Sequence, residues 1–194
     1  LHLCNKNMVK MDTNNYSKAK NDLLLDVCMA AKYEGNSIET HYTIHQATYD
    51  DSPSQICTML ARSFADIGDI VRGKDPFYGN KQEKEQREKL DNNLKEIFEK
   101  IHEEVMSGRN GKNVALQKRY GSDKENFYQL REDWWTANRS TVWEAITCKA
   151  DTGNKYFRAT CGGDNGTFSQ ANDKCLCNDN QVPTYFDYVP QYLR

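Results

Sequence analysis

The stretch REDWWTANRSTVWEAITC, residues 131–148, holds all three tryptophans of the chain within ten residues. Trp134, Thr141, Ala145 and Cys148 recur near helical spacing, and Phe127, Leu130 and Ala137 extend the same stripe. Trp135, Val142 and Ile146 form a second stripe beside it. A helix here is apolar over a broad face and has to sit between other elements. Ser122 and Glu125 have capping-box spacing, which puts its start near Asp123. Such side chains belong to a core, so this helix speaks of fold and not of function.

Other helices gather around it. From Ser17 a helix is expected in which Leu24, Val27, Cys28 and Ala31 share a face, with Gly35 as its stop. A further helical segment is expected from Ile38 to Tyr49. Ser52-Pro-Ser-Gln55 supplies an N-cap, a first-turn proline and a capping-box glutamine for the next one. There Ile56, Met59, Leu60, Ser63, Phe64, Ile67, Ile70 and Val71 recur every three or four residues, until Gly73 and Pro76 end the pattern. Asn80 to Met106 reads as a long charged helix with an apolar seam of Leu90, Leu94, Ile97, Phe98, Ile101 and Val105. Glu83 with Arg87 and Glu85 with Lys89 stand at ion-pair spacing on it. Its seam is expected to pair antiparallel with the tryptophan helix. The fold class is therefore mainly α, a helix bundle with long irregular loops.

With 194 residues the chain is long enough for one or two domains. A net charge of −2 gives no overall field that would demand nucleic acid. No run approaches the roughly 18 apolar residues of a membrane span, so no membrane contact is expected from this stretch. The chain opens on Leu1 without a signal-like segment and ends on Arg194 inside an apolar pattern, which reads as a piece of something larger. Seven cysteines stand at 4, 28, 57, 148, 161, 175 and 177 without any CxxC, which favours disulfides over zinc. Their odd number points to a partner outside the piece. Sequons at Asn15, Asn138 and Asn165 agree weakly with export.

Beyond Cys148 the composition turns to Gly, Asn, Asp and Thr as far as Asn180, and cysteines would staple what packing cannot. Val182 to Leu193 is aromatic, and Pro190 opens a helix there.

No catalytic constellation, cofactor cradle or metal cluster emerges. His41 and His45 have metal-ligand spacing, but Tyr42 stands where a metalloprotease needs its glutamate. Arg72-Gly-Lys74 lacks the spaced glycines of a phosphate loop. The carboxylates of Asp66, Asp69, Glu132 and Asp133 sit beside basic residues, and ion pairing accounts for them. The segment from Ser107 to Arg119 holds Arg109, Lys112, Lys118 and Arg119 and no acid. As a site it would meet a sulfated or sialylated glycan through charge-assisted hydrogen bonds. As plain structure it is an exposed connector.

Five blocks together carry a resemblance: DVCMAAKYEG (26–35), ARSFADIGDIVRGKD (61–75), REDWWTANRSTVWEAITC (131–148), YFRATC (156–161) and QVPTYFDYVPQYLR (181–194). In order, they resemble a Duffy-binding-like domain of the alpha type, from the variant erythrocyte membrane adhesins of Plasmodium falciparum. The resemblance implies a helical, disulfide-bonded adhesion module of three subdomains, displayed on the infected red cell and not an enzyme. Residues 1–50 would be the end of the first subdomain and 51–194 most of the second. The implied partners are a heparan sulfate-like glycan, a blood-group sugar or complement receptor, with no cofactor. It also implies a Cys57–Cys161 disulfide, from cysteines at matching places in related domains. Cys28 with Cys148 is a second expected pair, since both lie on apolar helix faces, and Cys4 is expected to bond upstream. Rival readings are a structural spacer without a ligand and a zinc-binding hydrolase.

Overall fold

The computed structural model describes residues 4, 6–11, 19–46, 55–75, 80–107, 114–162, 168–171, 173–178 and 181–194. Among the described residues six helices follow in order: α1 (Lys6–Val9), α2 (Ala19–Gln46), α3 (Gln55–Arg72), α4 (Lys81–Met106), α5 (Val114–Tyr120) and α6 (Tyr128–Ile146). A small antiparallel hairpin of β1 (Ala159–Cys161) and β2 (Ser169–Gln170) and two short 3-10 turns close the chain. The expected mainly α, disulfide-stapled bundle is the fold of the protein.

The tryptophan helix is central. α6 packs chiefly on α2 and α3, and only secondarily on α4. Phe64 of α3 lies 5.1 Å from the Trp135 ring and 5.2 Å from that of Trp143, the latter edge-on. Phe98 of α4 meets Trp134 edge-on at 6.1 Å. Small residues make this approach feasible: a Cβ on Gly68 would stand 2.8 Å from the Trp135 ring. All three indoles are buried, and one apolar cluster runs from Met8 of α1 to Val182 of the tail.

Three element boundaries differ from the sequence reading. α2 does not stop at Gly35 but runs through it for 28 residues. Gly35 is a contact point instead, because a Cβ there would lie 2.0 Å from the carbonyl oxygen of Ile146. α6 begins at Tyr128 and not near Asp123. Phe127 enters it at φ 55°, and the Asp123 carboxylate reaches forward to accept the Leu130 N–H at 2.9 Å, in place of the Ser122–Glu125 box. Cys148 falls two residues past its end. Third, the stretch from Ser107 to Arg119, expected as an exposed connector, overlaps a helix, Val114–Tyr120.

The other helices end where their local signals place them. The α3 cap at Ser52–Ser54 lies outside the described residues, but the helix begins at Gln55 and gives way to Gly73 at φ 69°. Asn80 caps α4 with a complete capping box: its side chain accepts the Glu83 N–H at 3.0 Å, and the Glu83 carboxylate accepts the Asn80 N–H at 3.1 Å. That box engages Glu83, while Arg87 meets Asp75 at 2.9 Å.

The disulfides correct the expected pairing. Cys57 is bonded to Cys175, with Cα atoms 5.5 Å apart, and Cys161 to Cys177, at 5.4 Å. Cys57 is buried on the core face of α3, and what reaches it is a tight turn in which Lys174 and Cys175 both take positive φ. Trp143 fixes that turn by donating its Nε1–H to the Cys175 carbonyl at 3.1 Å. Cys161, on β1, is left to Cys177. Cys28 and Cys148 do not pair either. α2 meets Ile146 at Gly35, so Cys28 lies seven residues, about 10 Å of helix rise, before the level at which α6 ends. Cys148 is exposed beyond that end, and burial with the nearby Glu144 pushes the Cys28 thiol up to about 11.

Candidate functional site

The basic residues singled out by sequence separate into different surroundings. Arg109 and Lys112 lie outside the described residues. Lys118 and Arg119 form the last turn of α5, both exposed. Arg119 is not a free cation: its Nε and Nη2 donate to the two Asp133 oxygens at 2.5 and 2.7 Å. Tyr120 donates its hydroxyl to Asp133 at 2.6 Å, and Gln129 adds a bond at 3.3 Å. Hydrogen bonds from Arg119 foremost hold the Asp133 carboxyl below its usual value, while burial and the adjacent carboxylate push Tyr120 up. The cluster anchors α5 on α6 and presents Lys118 outward. A ligand anion at Arg119 would have to share the guanidinium with Asp133.

The other candidate groups are structural. Arg72 is buried and donates to the Gly68 carbonyl, to Asp69 and Glu132 at 3.0 Å, and to the Asp187 carbonyl. Lys74 meets the second oxygen of Glu132 at 2.6 Å. Arg194 bridges Asp66 and Asp69 at 3.0 and 2.6 Å. Ion pairing thus occupies each carboxylate that sequence placed beside a basic residue. His41 is exposed, and among the described residues no three His, Cys, Asp or Glu side chains gather as a metal site. Asn138, in one of the sequons, donates to the Trp134 carbonyl at 2.7 Å within α6.

Sequence reasoning missed the lock that fastens the tail. Asp187 is buried and takes the Trp135 Nε1–H at 2.9 Å, with Arg139 bonding both its oxygens at 2.9 and 2.8 Å. Arg139 also donates to the Thr184 carbonyl at 2.8 Å, and the Tyr156 hydroxyl to Thr184 at 3.0 Å. This network ties the QVPTYFDYVPQYLR segment to α3 and α6 and leaves Tyr185, Tyr188 and Tyr192 exposed beside it. No signal in the sequence distinguishes Asp187 from an exposed loop aspartate.

A disulfide-stapled helical domain, its tail locked by buried arginines and indoles, is the class this architecture defines. A family model described as Duffy binding domain matches residues 1–194, and the chain belongs to that family. The fold is similar to the NTS-DBL1(alpha-1) domain of membrane protein 1 (PfEMP1) of the Plasmodium falciparum varO strain, at 39% identity and a TM-score of 0.75. That alignment covers 99% of this chain and 40% of the other. It is also similar to an ICAM-1-binding PfEMP1 DBLbeta domain, IT4var13, at 31% identity and a TM-score of 0.65, covering 100% of this chain and 39% of that one. The same DBLbeta domain bound to ICAM-1 matches at 31% identity and a TM-score of 0.65, over 99% and 40% of the two chains. The chain therefore spans about two fifths of the length of these neighbours. No curated protein matches it. No helix among the described residues is long and apolar enough to cross a membrane.

Proposed function

We propose that the chain is part of a host-cell adhesion module and not an enzyme, presented outside the infected erythrocyte, and that it meets a polyanionic glycan of the heparan sulfate type. Membership of the Duffy binding domain family over residues 1–194 is the observation that carries the adhesive reading. The glycan preference rests on Arg109, Lys112, Lys118 and Arg119; of the two described, both are exposed and Arg119 is paired with Asp133. A protein receptor is the second reading, favoured by the similar DBLbeta domain bound to ICAM-1. A blood-group sugar or complement receptor would belong with the uncharged or protein-directed outcomes of the same test.

Heparin retention on a column separates these readings. Neutralising Arg109, Lys112, Lys118 and Arg119 together is expected to lower the elution salt, because exposed charges act through a screened field. Lys118→Ala should account for more of the change than Arg119→Ala, whose charge Asp133 already offsets. Unchanged elution by the folded quadruple variant would move the site elsewhere. Binding to a receptor ectodomain that persists in high salt would favour the protein reading.

A further inference from the structure

Between the end of α3, the first half of α4 and the start of α6 lies a cleft of about 270 Å³, walled in part by Gly73, Asp75, Asp91, Tyr128 and Arg131. Its acids already have cations. Asp75 meets Arg87 at 2.9 Å, Glu88 faces Lys84 at 3.8 Å, and Asp91 accepts from Lys95 at 2.9 Å and from Arg131 Nη1 at 3.1 Å. Asp123, also within electrostatic reach of Arg131, spends an oxygen on the Leu130 N–H.

Arg131 is the unmatched group. The residue is 0% exposed, and its Nε and Nη2 have no hydrogen-bond partner. Those two nitrogens make one edge of the guanidinium, where two N–H groups point the same way at the spacing of carboxylate oxygens. Asp91 is shared with Lys95 and offsets the charge only in part. The plane of the group is fixed by the Phe98 ring, 5.3 Å from Cζ. Gly73 gives it room, since a Cβ there would stand 2.7 Å from Nη1. A buried cation with a bare donor edge is costly unless an acceptor completes it.

We propose that this cleft is a carboxylate-binding subsite, in which a small acid seats its carboxylate on the Nε/Nη2 edge of Arg131. Both nitrogens are sealed from solvent, so entry requires a side chain to turn aside. The side chain we assign to that movement is Tyr128, 53% exposed, whose ring edge borders Gly73 on the Nη1 side of the guanidinium. The volume lies just below the range of sites for drug-sized ligands, which suits one acidic sugar ring or an amino-acid-sized acid. The site is separate from α5 and stands whether or not the basic residues there meet a glycan.

The test is a titration of the ¹⁵N-labelled chain, disulfides intact, with acetate, glucuronate and N-acetylaspartate, following the Arg131 Nε–H resonance. Glucose and sodium chloride at matched ionic strength are the controls. A saturable shift with carboxylates alone is expected, and the tightest of the three tells a sugar acid from an amino-acid-like or bare carboxylate. Arg131→Lys keeps the charge but loses the paired edge, and should weaken binding roughly tenfold. Because a core substitution puts folding at risk, Asn126→Trp is the second variant: Asn126 lines the cleft, and an indole there should close it. The proposal is overturned by no shift with any carboxylate, by a shift that chloride reproduces, or by undiminished binding in folded Asn126→Trp.

Discussion

Gly35→Ala tests whether α2 and α6 sit as close as the fold requires. By helix propensity alone the change is favourable, worth about 1 kcal/mol in a helix interior. The packing opposes it. A Cβ at this position would stand 2.0 Å from the Ile146 carbonyl oxygen and 2.9 Å from its carbon. Contacts under 3.0 Å are essentially never tolerated, and the atoms concerned are backbone, so the helices must part by about 1 Å. A radial gap of that size forfeits roughly a quarter to a half of each van der Waals well along the interface. Overpacking of this kind costs about 1–3 kcal/mol, and the lost contacts place this case at the upper end. With the propensity gain subtracted, a net loss of about 2 kcal/mol is expected. For a domain of this size that corresponds to a Tm lower by about 4–8 °C. Thermal and urea unfolding followed by circular dichroism, with both disulfides formed, measures it. An unchanged or raised Tm would refute the close approach and restore the reading of Gly35 as a helix stop.

The disulfide pairing is tested by Cys177→Ala, which should expose one new thiol, at Cys161, to alkylation; labelling of Cys57 instead would contradict the structure. Removing Cys57 and Cys175 together should cost about 2–5 kcal/mol in urea unfolding, since that bridge spans 118 residues. A pH dependence follows from Glu132. Burial pushes its carboxyl up, but hydrogen bonds from Lys74 and Arg72 outweigh this and hold it below the ordinary 4.5. A depressed folded value stabilises above the unfolded pKa, and the contribution is lost as pH falls from 4.5 through the folded value. Glu132→Gln should therefore lower stability by about 1–2 kcal/mol at neutral pH, and the gap should close in acid. A gap constant from neutral pH into acid would show that the carboxylate charge is not what matters.

What could be read from the sequence was what neighbours along the chain decide. Gln55 and Gly73 lie within one turn of the α3 boundaries they define and were legible, as was the α4 start at Asn80. Glu83, by contrast, stands at ion-pair spacing to Arg87 and is instead engaged in the α4 capping box. Gly35 was not legible, because its reason is Ile146, 111 positions away, whereas a glycine after a periodic run looks locally like a C-cap. The start of α6 was misplaced for a similar cause: Ser122 and Glu125 satisfy the spacing rule, yet Asp123 and the left-handed Phe127 make the turn. α5 is seven residues long, too short for periodicity to declare itself, and is anchored by Asp133 from the next helix. The cysteines follow the same logic. Cys175 and Cys177 stand two apart and go to different partners, and nothing in that spacing tells which of them turns toward α3.

The basic residues carry this furthest, because their chemical type says least about their role. Arginine is expected at the surface, yet Arg72 and Arg131 are as buried as the indoles. Arg72 has Asp69 within one turn, but the other partners that make burial tolerable lie 60 residues off for Arg72–Glu132, 40 for Arg131–Asp91 and 48 for Arg139–Asp187. An acid-free run such as Ser107 to Arg119 is conspicuous in sequence, but Arg119 has found its acid fourteen residues later and gives up much of its field to it. Arg131 sits in a run that contains Glu132 and Asp133 and looks compensated on paper. Both of those acids are committed elsewhere, to Arg72 with Lys74 and to Arg119. Local charge counting therefore points to α5, while the count of donors without acceptors points to the cleft at Arg131. These two measures diverge because a charge is felt at a distance and screened, whereas an unmet hydrogen bond is a demand at one place. A long polyanion would respond to the first and a small carboxylate to the second, so the two proposed sites are separable by ligand size as well as by mutation.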